Sequence, residues 1–133
     1  MPFPRRKVVN RSQGKAPDLG DVHYRSKWER NVARYLNELV RRGLLVRVTF
    51  EEETMWFPAV SRGVRSYTPD FKCTRPDGTF YYVEVKGWMD PKSKTKLKRA
   101  KLYYPDREIQ VVNAATYNKL CKAYFRVLPH WEA

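Results

Sequence analysis

The sequence predicts a single α/β domain, a mixed central sheet flanked by helices in the order αβββαβα, preceded by a flexible basic arm at residues 1–20. Three observations carry this prediction. Apolar residues recur at helical spacing over residues 26–42, and two alternating β-type runs flank a turn at residues 75–78. The connection from this hairpin to the apolar run at residues 109–112 has the length of a helical crossover, so the strand it reaches should be parallel to its neighbour.

The composition indicates a globular protein and excludes several classes. The chain has 133 residues with 42% apolar and 14% aromatic content, which suffices for one folded domain at residues 21–133 but not for two. Cys73 and Cys121 fall in different predicted elements, so we expect reduced thiols. With only His23 and His130 beside them, a thiolate or imidazole zinc cluster is excluded. No apolar run has the length of a signal peptide or a membrane span, so we expect a cytoplasmic protein with no membrane partner.

The charge is unusual in both its size and its placement. With 27 Lys and Arg against 14 Asp and Glu, the formal net charge is +13. Two segments without any acidic residue, 1–17 and 92–101, are strongly basic. Such segregated charge is typical of a surface that contacts a phosphate backbone, although a basic surface that only favours solubility is the alternative. The basic residues concerned are Arg5, Arg6, Lys7, Arg11 and Lys15 in the first segment, and Lys92, Lys94, Lys96, Lys98, Arg99 and Lys101 in the second.

The first helix is predicted to begin after Ser26 and to end near Arg42, with Gly43 as its stop. Ser26 and Glu29 have the spacing of a capping box. Glu29 therefore has two interpretations: it caps the first turn only, or it also helps to bind a metal, because its helical face is directed toward the core. The apolar stripe of this helix consists of Trp28, Val32, Tyr35, Leu36, Leu39 and Val40.

The remaining elements follow from periodicity and turn signals. Residues 44–50 and 54–57 read as strands, and Arg62 and Arg65 lie in the loop before the hairpin, where they contact phosphate or are simply solvated. A helix is predicted from Lys92 to about Tyr104, with Leu97, Ala100 and Tyr103 or Tyr104 inward. After the strand at residues 109–112, Thr116 is predicted to cap a last helix that carries Leu120, Cys121, Tyr124 and Phe125.

The hairpin at residues 67–87 carries the candidate chemistry. A turn with a Gly bulge pairs Arg75 with Thr79, and counting outward from that pair places Asp70 opposite Glu84. Lys86 lies two residues beyond Glu84 and so on the same face. Directly opposed like charges repel, so two carboxylates in this arrangement call for a cation between them. The spacing alone therefore predicts a metal site.

These residues also carry a resemblance to a known superfamily. Pro69-Asp70, followed fourteen residues later by Glu84-Val85-Lys86 and preceded by a helical Glu, resembles the PD-(D/E)XK nucleases. The wider strings are similar to those of small phage-encoded endonucleases: YRSKWE at 24–29, YTPDF at 67–71, VEVKG at 83–87 and KSKTKLK at 92–98. The order of the acidic residues further resembles that of archaeal-type Holliday junction resolvases. The resemblance spans about residues 24–104 and leaves out the basic arm and the last helix.

The resemblance implies a restriction-endonuclease-like fold and a set of site residues. Glu29, Asp70 and Glu84 would bind the metal together with the backbone carbonyl of Val85, and oxygen ligands suit Mg²⁺, with Mn²⁺ as a substitute. The ion would activate water for in-line attack on phosphorus, and Lys86 would position that water. The alternative for Lys86 is a salt bridge that only neutralises the carboxylates. Candidate DNA contacts are Arg5, Arg6, Lys7, Arg11, Lys15, Arg25, Arg62, Arg65, Lys92, Ser93, Lys94, Lys96, Lys98 and Arg99.

The expected function is that of a Mg²⁺-dependent DNA endonuclease, a Holliday junction resolvase of DNA recombination and repair. A chain of this size cuts two strands symmetrically only by pairing two sites, so we expect a homodimer on four-way DNA junctions. A phage endonuclease or nickase acting on ordinary or branched duplex in the host cytoplasm is one alternative. A DNA-binding module without chemistry is the other.

Overall fold

The structure is a computed structural model and describes residues 14–133. Four of the predicted arm contacts, Arg5, Arg6, Lys7 and Arg11, lie outside the described residues. Three α-helices are formed: α1 (Lys27–Arg41), α2 (Pro91–Tyr103) and α3 (Ala114–Tyr124). The six strands are β1 (Arg47–Phe50), β2 (Met55–Trp56), β3 (Ser66–Tyr67), β4 (Phe71–Thr74), β5 (Phe80–Val85) and β6 (Ile109–Val112).

The main sheet has the strand order β1-β4-β5-β6 and is mixed, as predicted. In the antiparallel hairpin, Cys73 pairs with Tyr81 and Phe71 with Val83, which is the predicted register. The turn is closed by the Arg75 N–H, which donates to the Thr79 carbonyl at 2.8 Å. The prediction that β6 is parallel to β5 is confirmed. Asp70 and Glu84 therefore lie one step beyond the last paired residues of the hairpin.

A separate two-stranded ribbon, β2 paired with β3, corrects the predicted order αβββαβα. Five strands precede α2 instead of three, and only β1, β4 and β5 of these join the main sheet. The predicted run from Tyr67 to Cys73 is divided because Pro69 has no N–H to donate to a strand partner. Tyr67 consequently pairs with Met55 in the ribbon, and the main sheet resumes at Phe71.

The main sheet is covered on both faces, as predicted for the hairpin strands. On one face, Val83 and Val85 pack with Val32, Leu36 and the side chains of α3. On the other face, Tyr82 packs with Ala100 of α2 and with the ribbon. Alternate residues of β5 thus belong to different layers, so Glu84 shares the face of α2 and the ribbon. Tyr104 contributes to that layer, whereas Tyr103 is 36% exposed.

The helix ends follow the local sequence with one correction. Ser26 caps α1, accepting the Glu29 N–H at 3.1 Å, and Gly43 after the helix has φ of 80°. Asp90 caps α2 through the Ser93 N–H. The last helix is capped by Asn113, whose side chain accepts the Thr116 N–H at 2.9 Å, so the prediction of Thr116 as the cap is wrong. Asn is among the strongest N-caps, and its oxygen reaches the N–H three residues later.

Residues 14–20 contact the domain, although the sequence assigned them to the flexible arm. Gly14 forms a backbone bridge with Tyr24, and Ala16 is buried. A 3₁₀ turn follows at Pro17–Leu19, where the Asp18 carboxylate accepts two hydrogen bonds from Arg34 at 2.8 and 2.9 Å. Residues 14–20 therefore pack against the domain, on the N-terminal side of the predicted boundary at residue 21. The ion pair between Arg34 and Asp18, which is the first acidic residue of the chain, contributes to this contact.

Two further sequence predictions can be compared with the described residues. Cys73 is buried, Cys121 is half-buried, and neither forms a disulfide in the part of the chain that is described. Burial raises the pKa of the Cys73 thiol to about 12, which keeps it protonated and unreactive. None of the helices between residues 14 and 133 combines the length and apolar character needed to cross a membrane.

Candidate active site

Four carboxylates gather where α1 and β4 begin and β5 ends. They are Glu29, Glu51, Asp70 and Glu84, and we refer to them as the acidic cluster. The segments around residues 51, 70 and 85 are joined here by two hydrogen bonds, each donated by a backbone N–H. The Val85 N–H donates to Asp70 Oδ2 at 2.7 Å, and the Glu51 N–H donates to the Asp70 carbonyl at 2.8 Å. Asp70 is thereby held both by its carboxylate and by its backbone carbonyl.

Asp70 is the most deeply buried member of the cluster, at 2% exposure. Burial and the neighbouring Glu84 charge raise the pKa of its carboxyl to about 8, against the opposing effects of the Val85 N–H and Arg25. A carboxylate in this position is costly to ionise unless positive charge is near. The structure therefore brings together the two residues that the hairpin register predicted to be opposed.

Glu84 is held by a residue that the sequence did not single out. The hydroxyl of buried Tyr67 donates to Glu84 Oε1 at 2.7 Å. Burial raises the pKa of Glu84, while that hydrogen bond and the charges of Lys86 and Lys96 act in the opposite direction. The only available signal for Tyr67 was its position at the start of the run that contains Asp70. Its contact with Glu84 required the strand break at Pro69, which returns Tyr67 to the ribbon.

Glu29 closes the start of α1, as one interpretation predicted, and it also lies beside the other carboxylates. Its Oε1 accepts the Arg25 N–H at 2.8 Å, so it closes a cap one residue earlier than a standard capping box. The side chain is also buried, at 6% exposure, and burial raises its pKa. Its charge interacts with those of Asp70 and Lys86 across the mouth of the sheet. Glu29 thus belongs to the cluster as well as to the helix end.

Arg25 supplies the positive charge at the centre of the cluster. Its Nη2 lies 3.2 Å from Asp70 Oδ1 and forms a closer ion pair with Glu51, and its Nε lies 3.7 Å from Glu29 Oε2. Its side chain remains 59% exposed. The sequence named Arg25 as a DNA contact, and the structure directs it toward three carboxylates.

Glu51 was not predicted as a site residue, because residues 51–53 read only as a polar join between strands. In the structure, the three glutamates form ion pairs with different partners. Glu52 pairs with Arg47, and Glu53 pairs with Lys72 and Arg107. Glu51 alone has left-handed backbone geometry, with φ of 49°, and this turns its side chain toward Arg25. Strained non-glycine residues of this kind concentrate at functional sites.

Lys86 lies at the end of β5, where its backbone N–H donates to the Val112 carbonyl at 3.0 Å. Its charge acts on Glu84, Glu29 and Asp90. Among residues 14–133, Lys86 takes part in no salt bridge, so the alternative of a neutralising ion pair with Asp70 and Glu84 is not what the structure shows. The amine lies beside the cluster without being bound to one member of it.

The donor chemistry of the cluster fits a hard divalent cation, although its present geometry is not that of a coordination shell. All candidate donors are oxygens, and burial together with the neighbouring Glu84 charge raises the pKa of Asp70. Within the described residues, no three Asp, Glu, His or Cys side chains are close enough to hold one ion together. The Val85 backbone lies beside Asp70, with its N–H toward that carboxylate.

The basic candidates divide between an exposed surface and internal contacts. Lys92, Lys94 and Lys98 are exposed on α2, and Arg62 and Arg65 are exposed in the preceding loop. That loop lies against α2, because the Arg99 side chain donates to the Val64 carbonyl. We call these five side chains the basic surface.

Besides Arg25 and Arg99, three more of the predicted DNA contacts lie away from the basic surface. Ser93 is buried at 9% exposure beside the Asp90 cap, which leaves little of it to contact DNA. Lys15 forms an ion pair with Asp21 at 2.6 Å. Lys96 is half-buried and acts on the Glu84 charge, so it faces the cluster.

Comparison of the chain with protein-family models gives no match, and no curated protein matches it either.

Proposed function

We propose that this protein is a Mg²⁺-dependent DNA endonuclease of the PD-(D/E)XK type with a restriction-endonuclease-like fold. The observation that carries the proposal is the placement of Asp70, Glu84 and Lys86. Two buried or half-buried carboxylates and an amine without a salt bridge in the described residues lie at one end of a mixed sheet. That sheet has helices on both faces, which supports the proposed fold.

Glu29, Asp70, Glu84 and the Val85 carbonyl would hold the metal. When bound, Mg²⁺ would stabilise charge on a phosphate oxygen and lower the pKa of an attacking water. Tyr67 keeps the Glu84 carboxylate in a fixed orientation through its 2.7 Å hydrogen bond. Lys86 is placed to orient that water and to balance charge that develops on the phosphate. Burial of Asp70 keeps bulk water away from the deepest ligand.

The basic surface supports DNA as the substrate. It lies on the layer of α2, which is the face of the sheet that carries Glu84. A backbone bound along exposed lysines and arginines would therefore pass near the acidic cluster.

The favoured substrate is the four-way DNA junction, cut by a homodimer. Symmetrical cleavage of two strands requires two sites related by a two-fold axis, and the chain supplies one. The alternatives are a nuclease of ordinary or branched duplex and a DNA-binding module without chemistry.

The test of the activity is cleavage of a supercoiled plasmid and of a synthetic junction, with products mapped on both strands. We expect Mg²⁺-dependent cutting of the junction at symmetrical positions, and loss of about a thousandfold in rate in Asp70→Asn. Glu52→Gln serves as a carboxylate control outside the cluster, because Glu52 forms only an exposed pair with Arg47. Binding of both DNAs without cleavage would refute the enzyme. Equal cutting of linear duplex would refute the junction preference alone.

A second prediction concerns the basic surface. Replacing Lys92, Lys94 and Lys98 together with Gln should weaken DNA binding and reduce the slope of log K against log salt by about three, since each phosphate contact contributes close to one. Binding is measured without metal between low and moderate salt. The matched control replaces Lys119, Lys122 and Arg126, which are exposed on or just after α3, in the opposite layer. Equal slopes of log K against log salt for the two triple variants would mean that the DNA does not bind at the basic surface.

A further inference from the structure

The acidic cluster contains its own cation. Arg25 precedes α1 and contacts carboxylates from three separate segments, namely Glu29 of α1, Glu51 after β1 and Asp70 before β4. One guanidinium therefore holds together side chains that would otherwise repel one another. This feature belongs neither to the predicted metal ligands nor to the basic surface.

The atoms that Arg25 contacts are those that a metal would need. Asp70 Oδ2 accepts the Val85 N–H, and Glu29 Oε1 accepts the Arg25 backbone N–H. The remaining oxygens, Asp70 Oδ1 and Glu29 Oε2, both face the Arg25 guanidinium. A divalent cation and this guanidinium compete for the same two oxygens.

The position of the Arg25 side chain would allow its guanidinium to leave the acidic cluster. Its side chain is 59% exposed, and that of Glu51 is 31% exposed, so the pair lies on the solvent side of the cluster. Asp70 and Glu29 lie beneath, with side chains at 3% and 8% exposure. Departure of the guanidinium would change side-chain torsions only, because the Arg25 backbone is bonded separately to Glu29.

We propose that Arg25 is a resident counter-cation that competes with the divalent metal for the acidic cluster, with Glu51 as the residue that positions it. This inference rests on the proposed function, because it assumes that the cluster binds metal. It assigns Arg25 a regulatory part in the site: the cluster stays assembled without metal, and metal entry requires that the guanidinium be displaced.

The test is Mn²⁺ binding to the full-length protein without DNA, measured by titration calorimetry. Removing the competitor in Arg25→Gln should tighten Mn²⁺ binding about tenfold, a typical coupling between two ligands of one site. Arg47→Gln is the matched control, because Arg47 is also an exposed arginine paired with a glutamate, Glu52, at 2.9 Å. Its Mn²⁺ affinity should equal that of the wild type.

Two further variants keep the result interpretable. Arg25→Lys retains the charge but not the fork that spans three carboxylates, so it should show a smaller gain in the same direction. Adding Asp70→Asn to Arg25→Gln should abolish the gain if the ion enters the cluster. Unchanged or weaker Mn²⁺ binding in both Arg25 variants overturns the proposal. If the wild type nevertheless cleaves DNA, only the counter-cation role is lost. If no variant binds Mn²⁺ and no DNA is cut, both the counter-cation role and the proposed function are refuted.

Discussion

Replacing Asp70 with asparagine is expected to stabilise the metal-free protein while removing its proposed activity. The folded state resists ionisation of Asp70, because burial and Glu84 raise its pKa to about 8. In the unfolded chain the group ionises near pH 4. Between about pH 4 and pH 8 the folded state thus binds more protons than the unfolded state, and its stability falls as the pH rises.

An asparagine at this position is uncharged at every pH. The stability that Asp70→Asn gains over the wild type should therefore grow with pH. We expect the gain in the free energy of unfolding to be several kcal/mol larger at pH 8 than at pH 5, because the stability linked to Asp70 falls by about 1.4 kcal/mol for each pH unit between its unfolded and folded pKa values. Urea unfolding at four pH values between these limits, with chelator present, measures the profile. A gain of equal size at pH 5 and pH 8 would contradict an origin in buried charge.

The control for this prediction is Glu53→Gln, for which the opposite sign is expected. Although burial opposes it, hydrogen bonds from Lys72, Tyr82 and Arg107 lower the pKa of Glu53. Its charged form therefore stabilises the fold above the pKa of the unfolded glutamate, and that contribution is lost as the pH falls through the folded pKa. Glu53→Gln should be destabilising at pH 7 and nearly neutral in strong acid. The two substitutions together separate a carboxylate suited to ligand binding from one that supports the fold.

The second large effect is expected far from the acidic cluster, at Glu132. Its carboxylate accepts hydrogen bonds from Arg30 Nε at 2.6 Å, Arg30 Nη2 at 2.8 Å and Arg34 Nη1 at 2.8 Å. The side chains of Arg30 and Arg34 are only 7% and 6% exposed. Removing the partner of a buried charge is strongly destabilising, so Glu132→Gln should cost about 3 kcal/mol in the free energy of unfolding.

Glu52→Gln is the matched comparison for Glu132. Glu52 also pairs with an arginine, Arg47, but the two side chains are 45% and 64% exposed. A surface pair of this kind contributes about 0–1 kcal/mol. Urea unfolding of both variants at pH 7 compares them directly. Losses of similar size would mean that burial of Arg30 and Arg34 does not determine the contribution of Glu132.

The parts of the fold that were predictable depend on local pattern. The register of the hairpin follows from a turn of known geometry, and this is why Asp70 could be placed near Glu84. Ser26 and Gly43 likewise gave α1 its ends. Asp18 shows the limit: nothing near it in sequence indicated that Arg34 would bind it and order residues 14–20.

The parts of the site that were missed depend on contacts between distant segments. Tyr67 reaches Glu84 only because the chain leaves the ribbon at Pro69, and Glu51 reaches Arg25 only through a left-handed residue. Neither position differs in type from ordinary strand or loop residues. Arg25 is among the predicted DNA contacts, but its guanidinium contacts carboxylates in the structure. Its three carboxylate partners are brought together by the sheet and the helix, not by their spacing in the sequence.

The link between Asn31 and residue 132 has a consequence for folding kinetics. The Asn31 side chain donates to the Glu132 carbonyl at 2.8 Å across a separation of 101 residues. Closing so long a loop is slow compared with forming a hairpin. We therefore expect the β4–β5 hairpin, with Asp70 and Glu84, to form early, and the helix that carries Glu29 to be fixed late. Partly folded chains would then hold two of the three predicted carboxylate ligands in place but not the third.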